Sequence, residues 1–252
     1  MTRRQAICSL LSATAVAAAG TTAQAKTVQL QPPRASGGKP LIDALKLRRS
    51  IREYSNKPLE PQLLSDLMWS AFGINRPATG DRTAPYWRHV MVIDVYAAMA
   101  DGVWFYDPKL HALVLHQEDD LRAQTGLQDF VAAAPLNLVY VAHGERMQDV
   151  SVEERHLYAS ADACFIGQNV YLFCASEGLA TVFRAAVDKQ ALAKAMHLEP
   201  EQFVNLRANG RPSEAGTRIG SLHGRKLATT RFSSSGGRSR TKTGLDQTSA
   251  VE

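Results

Sequence analysis

Cysteine is scarce in this chain: Cys8, Cys164 and Cys174 are the only three in 252 residues. So few exclude a disulfide-stapled scaffold, and no C-x-x-C pair offers a redox or zinc motif. Strongly apolar runs of the ~20 residues that a permanent transmembrane helix needs are also missing. The G-x-G-x-x-G, G-x-x-x-x-G-K-[ST], H-E-x-x-H and G-x-S-x-G patterns are absent, which removes dinucleotide folds, P-loops, zincins and hydrolase elbows. Seven histidines are scattered without the helical spacing of paired ligands, so no metal site is expected. Cys164 and Cys174 lie ten residues apart on one expected helix, about 15 Å along its axis, too far for a disulfide. They read as buried, inert thiols.

What is present is an ordinary globular composition, 45% hydrophobic and 21% charged, with a net charge of +5 that sits at the chain ends. Arg3 and Arg4 stand alone in 1–25, and 211–252 carries eight Lys or Arg against three acids, so the body between is slightly acidic. A nucleic-acid-binding domain needs its positive charge on one folded face, so no nucleic-acid partner is expected. Thr2-Arg3-Arg4-Gln5, the uncharged Ala6 to Gly20 and the small-x-small Ala23-Gln24-Ala25 read as a cleavable export signal of twin-arginine type. The expectation is a bacterial protein, periplasmic or secreted, with no membrane anchor after cleavage of 1–25. Residues 26–40, with three prolines and two glycines, read as a linker. Residues 213–252 hold 19 Gly, Ser or Thr among 40 and no apolar periodicity, the composition of a disordered basic tail. One domain over 41–212 remains.

Its pattern alternates helix and strand signals. Leu41, Ile42 and Leu45 share one face of a first helix; Leu63, Leu64, Leu67, Met68 and Ala71 mark a second, opened by Pro61 and closed by Gly73. Val90 to Val95 reads as a strand, Val103 to Tyr106 and Leu113 to Leu115 as a hairpin about Asp107-Pro108-Lys109, and Glu118 to Phe130 as a helix. Leu136 to Ala142 is almost uninterruptedly apolar, as a buried strand would be. A long helix is expected from Val152 to Glu177, about 39 Å, stopped by Gly178 and apolar around most of its second half. Leu179 to Phe183 forms a short strand, Asp188 caps a helix through Leu198, and Phe203 to Leu206 closes the body. These elements give an α+β layered domain.

The one dense polar cluster is Arg48-Arg49-Ser50-Ile51-Arg52, where the first helix ends. Guanidiniums make paired charge-assisted bonds to phosphate oxygens and a Ser hydroxyl can add another, which suits a phosphate monoester; basic residues that complement a helix C-terminus have the same appearance.

Arg48 to Tyr54, the helix Leu63 to Ile74 and Arg82-Thr83-Ala84-Pro85 together resemble the opening of nitroreductase-like FMN flavoproteins. Asp101-Gly102-Val103-Trp104-Phe105-Tyr106-Asp107-Pro108 with His111-Ala112-Leu113 is similar to a hairpin of the branch that includes the azoline oxidases. Ala133 to Val139 and Gly167 to Val182 resemble its central strand, long helix and following turn. The resemblance spans 41–212. It implies a three-layer fold with a mixed or antiparallel sheet between helices, and a homodimer with two flavins at the subunit interface. Arg48, Arg49, Ser50 and Arg52 match the motif that holds the FMN phosphate and ribityl chain, and Ala185 and Ala186 match, by offset, backbone that faces the flavin ring. The implied function is FMN-dependent oxidation or reduction of a small-molecule substrate; the flavin supplies the hydride chemistry and no catalytic side chain is assigned. NAD(P)H is one candidate electron donor, and a quinol is another in an exported protein. Where the family carries a small residue and then an amide after T-A-P, this chain has Tyr86-Trp87-Arg88, which motivates the alternative of a degenerate binding or interaction protein on the same fold.

Overall fold

A seven-stranded antiparallel sheet runs through the computed structural model, which describes residues 26–54 and 57–212. The strands are β1 (Thr27–Gln29), β4 (Ile93–Met99), β5 (Gly102–Asp107), β6 (Ala112–Gln117), β7 (Leu136–His143), β8 (Leu179–Arg184) and β9 (Gln202–Pro212). Their order is β1-β6-β5-β4-β7-β9-β8, and β2 (Ile74–Arg76) with β3 (Asp81–Arg82) forms a separate ribbon. The helices are α1 (Leu41–Leu47), α2 (Pro61–Phe72), α3 (Val152–Glu177) and α4 (Lys189–Ala195).

Period-two alternation sorts the strand residues between two cores. Leu136, Leu138, Tyr140 and Ala142 of β7, with Ile93, Val95 and Ala97 of β4, pack with α2 and α3 on one face. Val139, Val141, Tyr96 and Ala98 pack with Leu192 and Met196 around α4 on the other. With both faces covered, all eight β7 residues are buried, which explains its nearly unbroken apolar run. The result is three layers, helices on either side of one sheet.

Local signals position the long helix well. Ser151 accepts from the Glu154 amide while Glu154 reaches back to the Ser151 amide, a capping box, and Gly178 closes α3 in the left-handed conformation (φ 72°). Asp188 caps α4 through the Ala191 amide at 2.9 Å. In mid-helix, Gly167 is needed for contact: a Cβ there would lie 2.4 Å from the Phe183 ring, so the absent side chain lets α3 sit on β8.

Four expectations are corrected. Residues 26–40 are packed onto the domain: β1 pairs with β6, Leu30 is buried, Gln62 Nε2 donates to the Pro32 carbonyl at 3.0 Å, and Arg34 pairs with Asp66 and Glu177. Composition suggested a linker because Pro and Gly carry no core-forming side chains; the attachment uses backbone pairing, charge and the one buried Leu30. Glu118 to Phe130 is no helix but irregular chain with single 3-10 turns at Ala123–Thr125 and Asp129–Val131. Gly126 breaks it in extended conformation because Arg184 fills the space beside it; a Cβ at Gly126 would lie 2.0 Å from that guanidinium. The strand expected at Val90 to Val95 starts at Ile93 and continues to Met99, since pairing with β5 and β7 overrides the weak strand preference of Ala97 and Ala98. Cys174 is buried, its thiol pushed up to about 12 by burial, whereas Cys164 is exposed. The expected signal peptide over 1–25 and tail over 213–252 lie outside the described residues. No described helix is long and apolar enough to cross a membrane.

Candidate active site

The basic cluster leaves α1 and runs along the free edge of the sheet. Arg48 caps α1 through its amide to the Ala44 carbonyl, and the Ile51 amide donates to the Thr181 carbonyl of β8 at 2.9 Å. Tyr171, on α3, ties the two segments together: its hydroxyl lies 2.7 Å from Ser50 Oγ and accepts from the Phe183 amide at 2.9 Å. The Arg48 guanidinium stacks 5.3 Å from the centre of the Tyr171 ring. Arg49, Ser50 and Arg52 are exposed, and among the described residues neither Arg48, Arg49 nor Arg52 has a carboxylate partner. Three arginines within five residues thus have no ion-pair partner among the described residues, and Arg49 Nε donates only to the Leu47 carbonyl, at 3.4 Å.

Ala185 and Ala186 follow β8 directly and are exposed; the Ala186 carbonyl accepts from the Leu127 amide at 3.3 Å. Because Ile51 pairs with Thr181 in β8, one sheet edge carries both groups of expected site residues. Arg184, just before Ala185, is buried and donates to the Asn137 and Gln128 side-chain oxygens, each at 3.4 Å. Burial pulls its pKa below the ordinary guanidinium value. Sequence reasoning ended the strand at Phe183 and missed it; a charged residue closing an apolar strand was the available signal. Tyr171 lay within a matched motif, but its double contact needs the fold to be seen.

The segment after Pro85 turns sharply. Arg88 and His89 both adopt positive φ (46° and 57°), uncommon for non-glycine residues. Trp87 stacks on Tyr158 with ring centroids 5.7 Å apart, and its amide donates to Asp162 Oδ2 at 3.0 Å. Asp162 is buried within α3, and desolvation raises its pKa to about 6 despite that one bond. The opposite outcome holds at Asp94, on β4. Burial alone would raise its pKa, but His143, with Nε2 2.7 Å away, and a two-pronged Arg146 at 3.0 and 3.1 Å bring it below the ordinary carboxylate value. Among the described residues there is no group of three or more His, Cys, Asp or Glu arranged to hold a metal ion.

The arginine cluster thus lies along one sheet edge of a three-layer α+β domain. Comparison with known proteins supplies the class: the chain belongs to the nitroreductase family, which matches residues 45–209. A curated Methanocaldococcus jannaschii protein, provisionally assigned as a nitroreductase, is 31% identical over 166 residues, covering 62% of this chain and 83% of the relative. A solved structure from Ralstonia eutropha JMP134, with the same provisional assignment, is 40% identical with a TM-score of 0.71, covering 83% of this chain and 98% of that one. The fold is also shared with the Escherichia coli microcin synthetase McbBCD, in complex with truncated pro-MccB17, at 17% identity and a TM-score of 0.57, covering 82% of this chain and 85% of that one. The α+β class and the nitroreductase resemblance thus stand, and at the level of the family the chain is an oxidoreductase.

Proposed function

We propose that this protein is an exported, FMN-dependent oxidoreductase that acts as a homodimer on a small organic substrate. The observation that carries the reading is the Arg48-Arg49-Ser50-Arg52 cluster, without an ion-pair partner among the described residues and docked beside the β8 edge that leads to Ala185 and Ala186. The donor set fits the group: a phosphate dianion calls for several unneutralised guanidiniums and a hydroxyl, and these are present. When bound, FMN supplies the hydride transfer. The chain's own part is to neutralise the phosphate with Arg48, Arg49 and Arg52, to hold Ser50 through Tyr171, and to offer backbone at Ala185 and Ala186. NAD(P)H or, after export, a quinol is the proposed donor.

The dimer reading draws on exposed apolar side chains of two packed helices. Leu41 and Ile42 of α1 are 61% and 60% exposed, and Leu157 and Phe165 of α3 are 63% and 49% exposed. Large apolar side chains exposed on two neighbouring helices are what a subunit interface would cover. The test is FMN titration into the purified full chain, with light scattering and mass spectrometry of the periplasmic fraction. A yellow dimer that begins at Lys26 is expected. A folded, colourless chain that refuses FMN would favour the second reading, an interaction protein, for which the strained aromatic segment Tyr86 to His89 is the specific observation.

A further inference from the structure

Arg82 ends β3 and is 93% buried, with no carboxylate within ion-pair distance among the described residues. Its Nη1 donates to the Phe72 carbonyl at 3.3 Å, its guanidinium lies 5.2 Å from the Phe72 ring centre, and its Nε has no hydrogen-bond partner among the described residues. Burial lowers its pKa from the ordinary value, outweighing the opposing charges of Asp94 and Asp107 farther off. A buried cation left in this way is costly unless something pairs with it.

The guanidinium borders a cavity of about 280 Å³ between α2, β3, β4 and β5, also reached by Lys109 and Arg146. Neither of the two acids at its wall makes a direct ion pair with Arg82 among the described residues, although the charge of Asp107 acts on it from a distance. Asp94 is held by Arg146 and His143, and Asp107 Oδ1 accepts from the Lys109 and Leu110 amides at 2.8 and 3.1 Å. Arg82 and Lys109 are the cations that remain, and Lys109 is exposed with no ion pair among the described residues. The rest of the lining is largely apolar: Phe72, Met91, Ile93, Val95, Phe105 and Pro108. An unpaired buried donor at an apolar wall selects a ligand with one anionic end and an apolar body, and the volume sits at the small end of ligand pockets.

We propose that this cavity is a binding site for a small organic monocarboxylate, its carboxylate against Arg82 and Lys109 and its hydrocarbon body against the apolar wall. The cavity opens on β4 and β5, whereas the Arg48 cluster lies at β8, three strand spacings away, or roughly 14 Å. The inference therefore does not rest on the flavin reading, and either can fail alone.

Benzoate is the probe, added to the purified full chain without FMN and followed by calorimetry and melting temperature. Binding with a Kd of about 1 mM or tighter is expected, with a concentration-dependent rise in melting temperature. Benzamide, the neutral isostere, should bind at least tenfold more weakly, and 10 mM inorganic phosphate should not displace benzoate. Arg82→Gln should weaken benzoate at least tenfold. Should that variant not fold, exposed Lys109→Ala, with an expected loss of about threefold, and the benzamide comparison carry the test. No benzoate binding at 10 mM, equal binding of benzamide, displacement by phosphate, or full affinity in folded Arg82→Gln or in Lys109→Ala would each overturn the proposal.

Discussion

Asp94 and Asp162 are both withdrawn from water, yet the protein treats them in opposite ways. Asp94 meets the Arg146 guanidinium and a hydrogen bond from His143, so its charged form is favoured. Asp162 meets a single backbone amide, so desolvation wins and its carboxyl holds a proton up to about pH 6. The difference teaches that burial alone does not set the state of a group. The partners supplied by distant parts of the chain decide it. Asp94 is therefore part of an ionic brace in the cavity wall that persists well into acid, whereas Asp162 is a titrating contact on the turn after Pro85.

The comparison can be broken most severely at Asp94. Asp94→Asn leaves Arg146 without its paired acceptor and should cost about 3 kcal/mol at pH 7, read by denaturant unfolding. The sign with pH follows from the lowered native pKa: the stabilisation is present above the unfolded carboxylate value and is lost as pH falls through the native one. The penalty of the variant should therefore shrink in acid; a penalty that is constant down to pH 3 would show that the ion pair is not its source.

Asp162→Asn should act in the reverse direction, and slightly less. Its native pKa is raised from 3.8 to about 6, so ionisation costs stability progressively as pH rises through that interval, and the full cost applies above it. The Asn oxygen still accepts from the Trp87 amide. The variant should gain about 2 kcal/mol at pH 8 and nothing near pH 4. A loss of stability at pH 8 would contradict a buried, poorly compensated carboxylate.

Against these two stability effects stands the surface cluster, with only Arg48 half-buried, where substitutions should change binding far more than folding. Arg48→Ala and Arg52→Ala should each weaken FMN by about 1.5–3 kcal/mol, roughly ten- to 150-fold, with the melting temperature of the FMN-free protein almost unmoved. Titration of both variants checks this, and a loss below threefold in both would remove the phosphate site. The smallest expected effect is at Tyr171→Phe, which deletes the contacts to Ser50 and the Phe183 amide. It should cost about 1 kcal/mol of stability and a few-fold in FMN affinity; unchanged affinity would show that Ser50 needs no positioning.

Local chemistry accounts for what was legible beforehand. The limits of α3 follow from Ser151, Glu154 and Gly178, each of which acts on backbone within a few residues, and the β5–β6 hairpin follows from apolar runs about Asp107-Pro108. The basic cluster was legible because its members are neighbours in the chain. The helix expected at Glu118 to Phe130 failed because its periodicity is satisfied by Leu121 and Val131 packing in irregular chain, around a guanidinium from residue 184.

By itself, then, the sequence determined the alternation of helices and strands, the α+β class and the Arg48 to Arg52 cluster, all properties of residues close in the chain. Only the tertiary structure decided that the cluster lies along β8, that 26–40 joins the sheet, that Phe165 faces outward and that Arg82 is buried beside a cavity. The physical reason is that burial and charge compensation are sums over partners tens of residues away. Asp94 meets Arg146 across 52 positions, Asp162 meets Trp87 across 75, and Ser50 meets Tyr171 across 121.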